Sequence, residues 1–162
     1  MSQSLQKITP FLWFDNQAEE AARFYASVFR NSKIEAVTRY GQEGAGPPGT
    51  VMTVDFELAG QRFVALNGGP AFKFNEAVSF VVNCETQQEV DEMWEKLVDG
   101  GNEIDCGWLK DKYGLAWQIV PTVLWRMLTD QDAARKERVM KAMMQMKRLD
   151  IARLEAAYRW AK

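Results

Sequence analysis

Ala21-Ala-Arg-Phe-Tyr-Ala-Ser-Val-Phe29 and Val90-Asp-Glu-Met-Trp-Glu-Lys-Leu-Val98 carry their large apolar residues at the same five places, each pair 69 positions apart (21 to 90, 24 to 93, 25 to 94, 28 to 97, 29 to 98). Within each stretch the spacing is i, i+3, i+4, i+7, i+8, the single apolar stripe of a helix that packs on a core. Two helices in register predict a duplicated unit.

Working outward from the first helix, Ile8-Thr-Pro-Phe-Leu-Trp-Phe14 reads as the strand before it, with Asp15-Asn-Gln as the turn. Lys33 to Tyr40, Val51 to Leu58 and Arg62 to Asn67 read as the strands after it, Gly60 marking the tight turn between the last two. Gly41 to Gly49, with Pro47-Pro48 inside it, is a loop, read as a surface loop or a lid. Around the second helix the order repeats: strand Ala77 to Val82, Thr86 as N-cap with Glu89 completing a capping box, the Gly100-Gly101 stop, then strands Ile104 to Lys110 and Leu115 to Pro121. Beyond Pro121 helices are expected over Val123 to Leu128, Asp132 to Met146 and Ile151 to Trp160. The fold class is therefore α+β: two βαβββ modules, about 7–68 and 76–121, form a mixed curved sheet around one cleft, with 122–162 a helical extension of one 1–162 domain. The apolar tail, with Met127, Met140, Met143, Tyr158 and Trp160, suits core or interface packing, and a homodimer is expected.

Composition removes several function classes. A net charge of -2 supplies no basic field for nucleic acid. The polar start, Met1 to Gln6, and the short apolar run after it fit neither a signal peptide nor a membrane span, so a cytoplasmic protein without a membrane partner is expected. Cys84 and Cys106 are too few for a disulfide framework and read as free thiols. With no histidine in the chain, Cys106 has no imidazole to activate it, and the commonest transition-metal ligand is missing.

Ile8-Thr-Pro-Phe-Leu-Trp-Phe-Asp15, Phe63-Val-Ala-Leu-Asn-Gly-Gly-Pro70, Phe72-Lys-Phe-Asn75 and the run Cys106 to Pro121 resemble the PhnB-like branch of the vicinal oxygen chelate superfamily, the glyoxalase, bleomycin-resistance and dioxygenase group. That branch is often labelled 3-demethylubiquinone-9 3-methyltransferase. An S-adenosylmethionine enzyme usually needs a glycine-rich turn between a parallel strand and a helix, and here the glycines lie elsewhere. The resemblance implies four metal seats on the sheet, which strand register assigns to Thr9, Ala65, Ala77 and Gln118. Alanine ligates nothing, and neutral oxygens alone do not offset the dehydration of a divalent ion, so no metal and no other cofactor is expected. Gln118, where metal enzymes of the superfamily usually place glutamate, suits a polar ligand instead.

Strand alternation then lines the cleft with Phe11, Trp13, Phe63, Asn67, Ser79 and Gln118, while Phe72 and Trp108 close its mouth. Thr53, Asp55 and Glu57 share a strand face, which makes Asp55 the candidate general base, with Arg39 as its possible partner. The expected function is metal-independent binding of, or weak catalysis on, a small, partly apolar molecule. The alternatives are a magnesium- or manganese-dependent enzyme using Asp55 or Glu57, and a dimeric interaction protein with a relic cleft.

Overall fold

The computed structural model describes residues 6–160, so Met1 to Ser4 and Leu5 of the polar start lie outside the described residues. Two compact units divide the chain, Met1–Lys73 and Phe74–Lys162.

In the first unit β1 (Phe11–Phe14), α1 (Ala18–Val28), β2 (Lys33–Arg39), β3 (Val51–Leu58) and β4 (Gln61–Asn67) follow in chain order, and the sheet order is β1-β4-β3-β2. β1 runs parallel to β4 and the other pairs are antiparallel. The expected strand from Ile8 starts only at Phe11, because Pro10 has no N–H for the ladder. Its carbonyl still accepts from Val64 N at 3.0 Å. Ala59 and Gly60, both with positive φ (48° and 86°), make the two-residue turn between β3 and β4 that matches strand twist. Ala21, Tyr25 and Val28 of the predicted stripe are buried, and Tyr25 stacks on Phe56 (6.4 Å), which stacks on Phe63 (5.5 Å).

The second unit repeats the order with β5 (Ser79–Cys84), α2 (Gln87–Val98), β6 (Asn102–Glu103), β7 (Trp108–Lys110) and β8 (Ala116–Pro121), in sheet order β5-β8-β7-β6. Val90, Met93, Trp94 and Leu97 are its buried stripe. Thr86 Oγ1 accepts from Glu89 N at 3.2 Å, while Glu89 Oε2 reaches one residue further back than a capping box requires, to Glu85 N at 2.7 Å. The expected strand Ile104 to Lys110 is broken by a turn at Cys106 (φ 62°) and Gly107 (φ 83°). Their N–H groups go to Met146 O and Lys147 O, both at 2.7 Å, so this turn is shaped by a distant segment that local propensity does not see.

α3 (Thr122–Leu128), α4 (Ala133–Met143) and α5 (Ile151–Arg159) belong to the second unit. Val120 of β8 sits in one cluster with Leu124, Met127, Val139, Met146, Leu149 and Leu154. Gln87 of α2 bonds both Leu149 O (3.1 Å) and Ile151 N (2.8 Å), and Arg148 pairs with Asp91 (3.3 Å) and Glu95 (3.2 Å). Met127 and Met146 are thus core, whereas Met140, Met144 and Trp160 stay exposed. Among the described residues, no helix is long and apolar enough to cross a membrane.

Candidate functional site

In the first unit, register decides which side chains share a face. Leu12 lies opposite Ala65, and Phe56 opposite Phe63. Leu12, Phe14, Val54 and Phe56 are buried on the side of α1, so Phe63 (5% exposed) and Ala65 (0%) lie there too. The expectation that Phe63, Ala65 and Asn67 share a face with Phe11 and Trp13 is off by one residue, and one residue inverts every side chain in a strand. Phe63-Val-Ala-Leu66 is apolar on both faces, so alternation within it carries no sign.

The face away from α1 holds Phe11, Val64 and Asp55 in one row and Trp13, Leu66 and Thr53 in the next. Trp13 is fixed: its Nε1 donates to Gly69 O at 2.8 Å, and Phe72 meets the ring edge-on (4.9 Å, 80°). Gly68 must lack a side chain, since a Cβ there would lie 2.3 Å from the indole. Phe72 and Phe11 are 65% and 58% exposed, which leaves an aromatic platform uncovered. Asp55 lies on this face as expected, half-buried. Arg39 does not pair with it; its guanidinium donates to Gly49 O at 3.0 Å.

Asn67 is occupied by structure. Its Oδ1 accepts from Ala18 N at 2.8 Å, capping α1 in place of Gln17, whose side chain makes no cap bond, and its Nδ2 donates to Val51 O at 3.1 Å. Its carbonyl also accepts from Tyr40 Oη. Asn67→Ala is expected to lower stability by about 1–2 kcal/mol, read by urea unfolding. A loss below a few tenths would show that water replaces the cap. Tyr40 is clasped by the Gly41 to Gly49 loop, where a Cβ at Gly44 or Gly46 would lie 2.6 or 2.4 Å from its ring. That loop, read as lid or surface loop, walls a cavity of about 600 Å³ with Tyr40, Pro47, Asn67 and Asp15, which no local sequence signal marks.

In the second unit, Val81, Gln118 and Trp108 form one row, and Ser79, Ala116 and Lys110 the next, on the face away from α2. Gln118 Nε2 donates to Ser79 Oγ at 2.9 Å, leaving the amide oxygen and the hydroxyl proton for another partner. Ala77 precedes the strand in an exposed turn held by Asn75 Oδ1 (2.9 Å from Ala77 N), because that side-chain bond competes with the ladder. Asp111, the start of the Asp-x-x-Gly turn, is 2% exposed, and its carboxylate accepts from Tyr113 N (2.8 Å), Leu115 N (3.1 Å) and Trp117 Nε1 (2.9 Å).

Three of the four assigned metal seats are not strand positions on a face away from the helix of their own unit. Thr9 precedes β1 with its hydroxyl 3.5 Å from Gln6 O, Ala65 is under α1, Ala77 is in a turn, and only Gln118 is on a sheet face away from its helix. Shifting β4 by one brings Val64 or Leu66 onto the face, and neither can ligate. Among the described residues, no group of three or more His, Cys, Asp or Glu could hold a metal ion. The side chains at the assigned seats, one threonine, two alanines and one glutamine, offer a divalent ion no charged ligand. Neither thiol is a ready nucleophile: burial pushes Cys84 up to about 12, and burial with the nearby Asp105 charge raises Cys106.

A family model described as 3-demethylubiquinone-9 3-methyltransferase matches residues 6–120. Among solved structures the chain is similar to the PhnB protein from Bacillus cereus, with 40% identity over 72% of this chain and 100% of that one and a TM-score of 0.67. It is also similar to a Pseudomonas aeruginosa protein (20% identity, 72% and 97% covered, TM-score 0.59). The fosfomycin resistance protein FosX from Listeria monocytogenes (14%, 80% and 100%, TM-score 0.52) shares the fold. No curated protein matches the chain. With more than half of its length matched by the family model, the chain belongs to the 3-demethylubiquinone-9 3-methyltransferase family.

Proposed function

We propose that this protein binds a small, partly apolar molecule without a histidine-ligated metal, and that Trp13 is its principal anchor. The observation that carries this reading is the Trp13–Phe72 pair, in which a half-buried indole is held by Gly69 O while Phe72, edge-on to it, is 65% exposed. A rigid aromatic loses little conformational freedom on binding and offers a large contact area. Methyl transfer, the activity in the family's description, is not part of the proposal. The strand-to-helix turns, Asp15 to Gln17 and Glu85-Thr86, contain no glycine to bring backbone N–H groups close to a nucleotide cofactor.

Titration of small aromatic molecules against tryptophan fluorescence tests the proposal. Trp13→Ala is expected to weaken the best ligand by about tenfold or more, as removal of a buried anchor does. Unchanged affinity in that variant would sink the assignment. Elemental analysis of the purified protein tests the metal part, where one divalent ion per chain would favour an enzyme using Asp55 or Glu57.

Pairing of two copies is a separate proposal, resting on the exposed Met140, Met144 and Trp160. Light scattering is expected to give twice the chain mass at micromolar concentration. A monomeric mass there would remove it.

A further inference from the structure

The face of the second unit that carries Ser79, Gln118 and Trp108 also carries a charged side chain, Lys110. Lys110 lies in the same row as Ser79, separated from it by Ala116, and next to the row of Trp108 and Gln118. Its Nζ is bound to Glu76 at 2.5 Å, and Glu76 sits in the turn just before β5. The side chain therefore runs from β7 across β8 to the start of β5, over Ala116, which is fully buried although its side chain is only a methyl group. The ion pair thus lies beside the Gln118–Ser79 hydrogen bond.

The groups left free on this face are mostly donors. Ser79 keeps its hydroxyl proton once it has accepted from Gln118, and the lysine has three N–H groups, of which Glu76 takes at least one. Trp108 supplies an aromatic wall in the next row. Glu76 is the more exposed partner, with its side chain 50% exposed against 29% for Lys110, and its carboxyl is held below the usual carboxylate range first by the hydrogen bond from Lys110. A carboxylate is thus already the species this lysine binds.

We infer that the face formed by Ser79, Trp108, Lys110 and Gln118 binds the carboxylate of a small aromatic or apolar acid, which takes the place of Glu76 on Lys110. This site lies within the second unit and is argued apart from the Trp13 platform of the first. A hydrogen bond to a charged group contributes more than a neutral one, so charge is expected to decide the preference.

The experiment compares phenylacetate with 2-phenylethanol, its neutral counterpart, by calorimetric titration. Wild-type protein is expected to prefer phenylacetate by about tenfold, the effect of one charged hydrogen bond. Lys110→Met removes that preference while leaving 2-phenylethanol binding in place, and Lys110→Arg retains most of it. Glu76→Gln, which removes the competing carboxylate and disturbs nothing buried, tightens phenylacetate by about threefold or more, with no effect on the alcohol. Equal binding of acid and alcohol, or a preference that survives Lys110→Met, overturns this inference and leaves the small-molecule reading standing. Binding of neither probe likewise overturns it. Weaker phenylacetate binding in Glu76→Gln would show that Glu76 supports the site and does not compete for it, and overturns the displacement.

Discussion

Asp111→Ala is expected to lower the unfolding free energy by about 3–4 kcal/mol, a large share of the roughly 5–15 kcal/mol of an ordinary domain. The carboxylate is almost wholly buried and accepts hydrogen bonds from Tyr113 N, Leu115 N and Trp117 Nε1. Removing it leaves buried donors without their acceptor. It also undoes the turn closed by Gly114 N on Asp111 O (2.9 Å), where Gly114 has φ 87°. Asp111→Asn separates the contributions, because it keeps one oxygen for the two backbone N–H groups and turns an NH₂ against the indole N–H. Its expected cost is about 2 kcal/mol, and about half of that in a Trp117→Phe background where the opposing donor is gone. Equal costs in the two backgrounds would show that the Trp117 bond contributes nothing. Urea unfolding of the four proteins supplies the cycle.

Truncation after Pro121 is expected to destroy the cooperative fold of the second unit. The segment it removes brings Leu124, Met127, Val139, Met146, Leu149 and Leu154 onto Val120, and the carbonyls of Met146 and Lys147, between α4 and α5, hold the Cys106-Gly107 turn between β6 and β7. Its loss also exposes the apolar end of β8. A truncated protein with sharp amide dispersion and an unchanged melting point would show the tail to be an appendage. The graded version is Leu154→Ala, where a fully buried leucine becomes a cavity, at an expected cost of about 3 kcal/mol. The family match ends at residue 120, so the tail is a feature of this chain beyond the matched region.

Both results concern residues whose roles the sequence marks unequally. Asp111 announces itself through Asp-x-x-Gly, whereas the tail's methionines could have faced a partner as readily as the core. Only packing places Met127 and Met146 inside and leaves Met140 and Met144 outside. Lys110 lies inside the Cys106 to Pro121 run, yet its relation to Ser79 appears only once β8 is seen to lie between β7 and β5.

The sequence by itself determined the duplicated α+β frame, because periodicity and the capping and turn signals are local and the five-position repeat brings two copies of them into register. It determined the faces of β3 and β8 as well, since Val51 to Leu58 alternates polar with apolar and Gln118 interrupts an apolar run. The tertiary structure decided the face of β4, the caps and the site. Asn67 looks like a ligand group until Ala18 N and Val51 O are found on it, and Ala65 looks like a vacated seat until Leu12 is found opposite. In a strand apolar on both sides, a shift of one residue changes no local energy. Only the pairing partner and the helix above it choose the face, and both are distant in sequence.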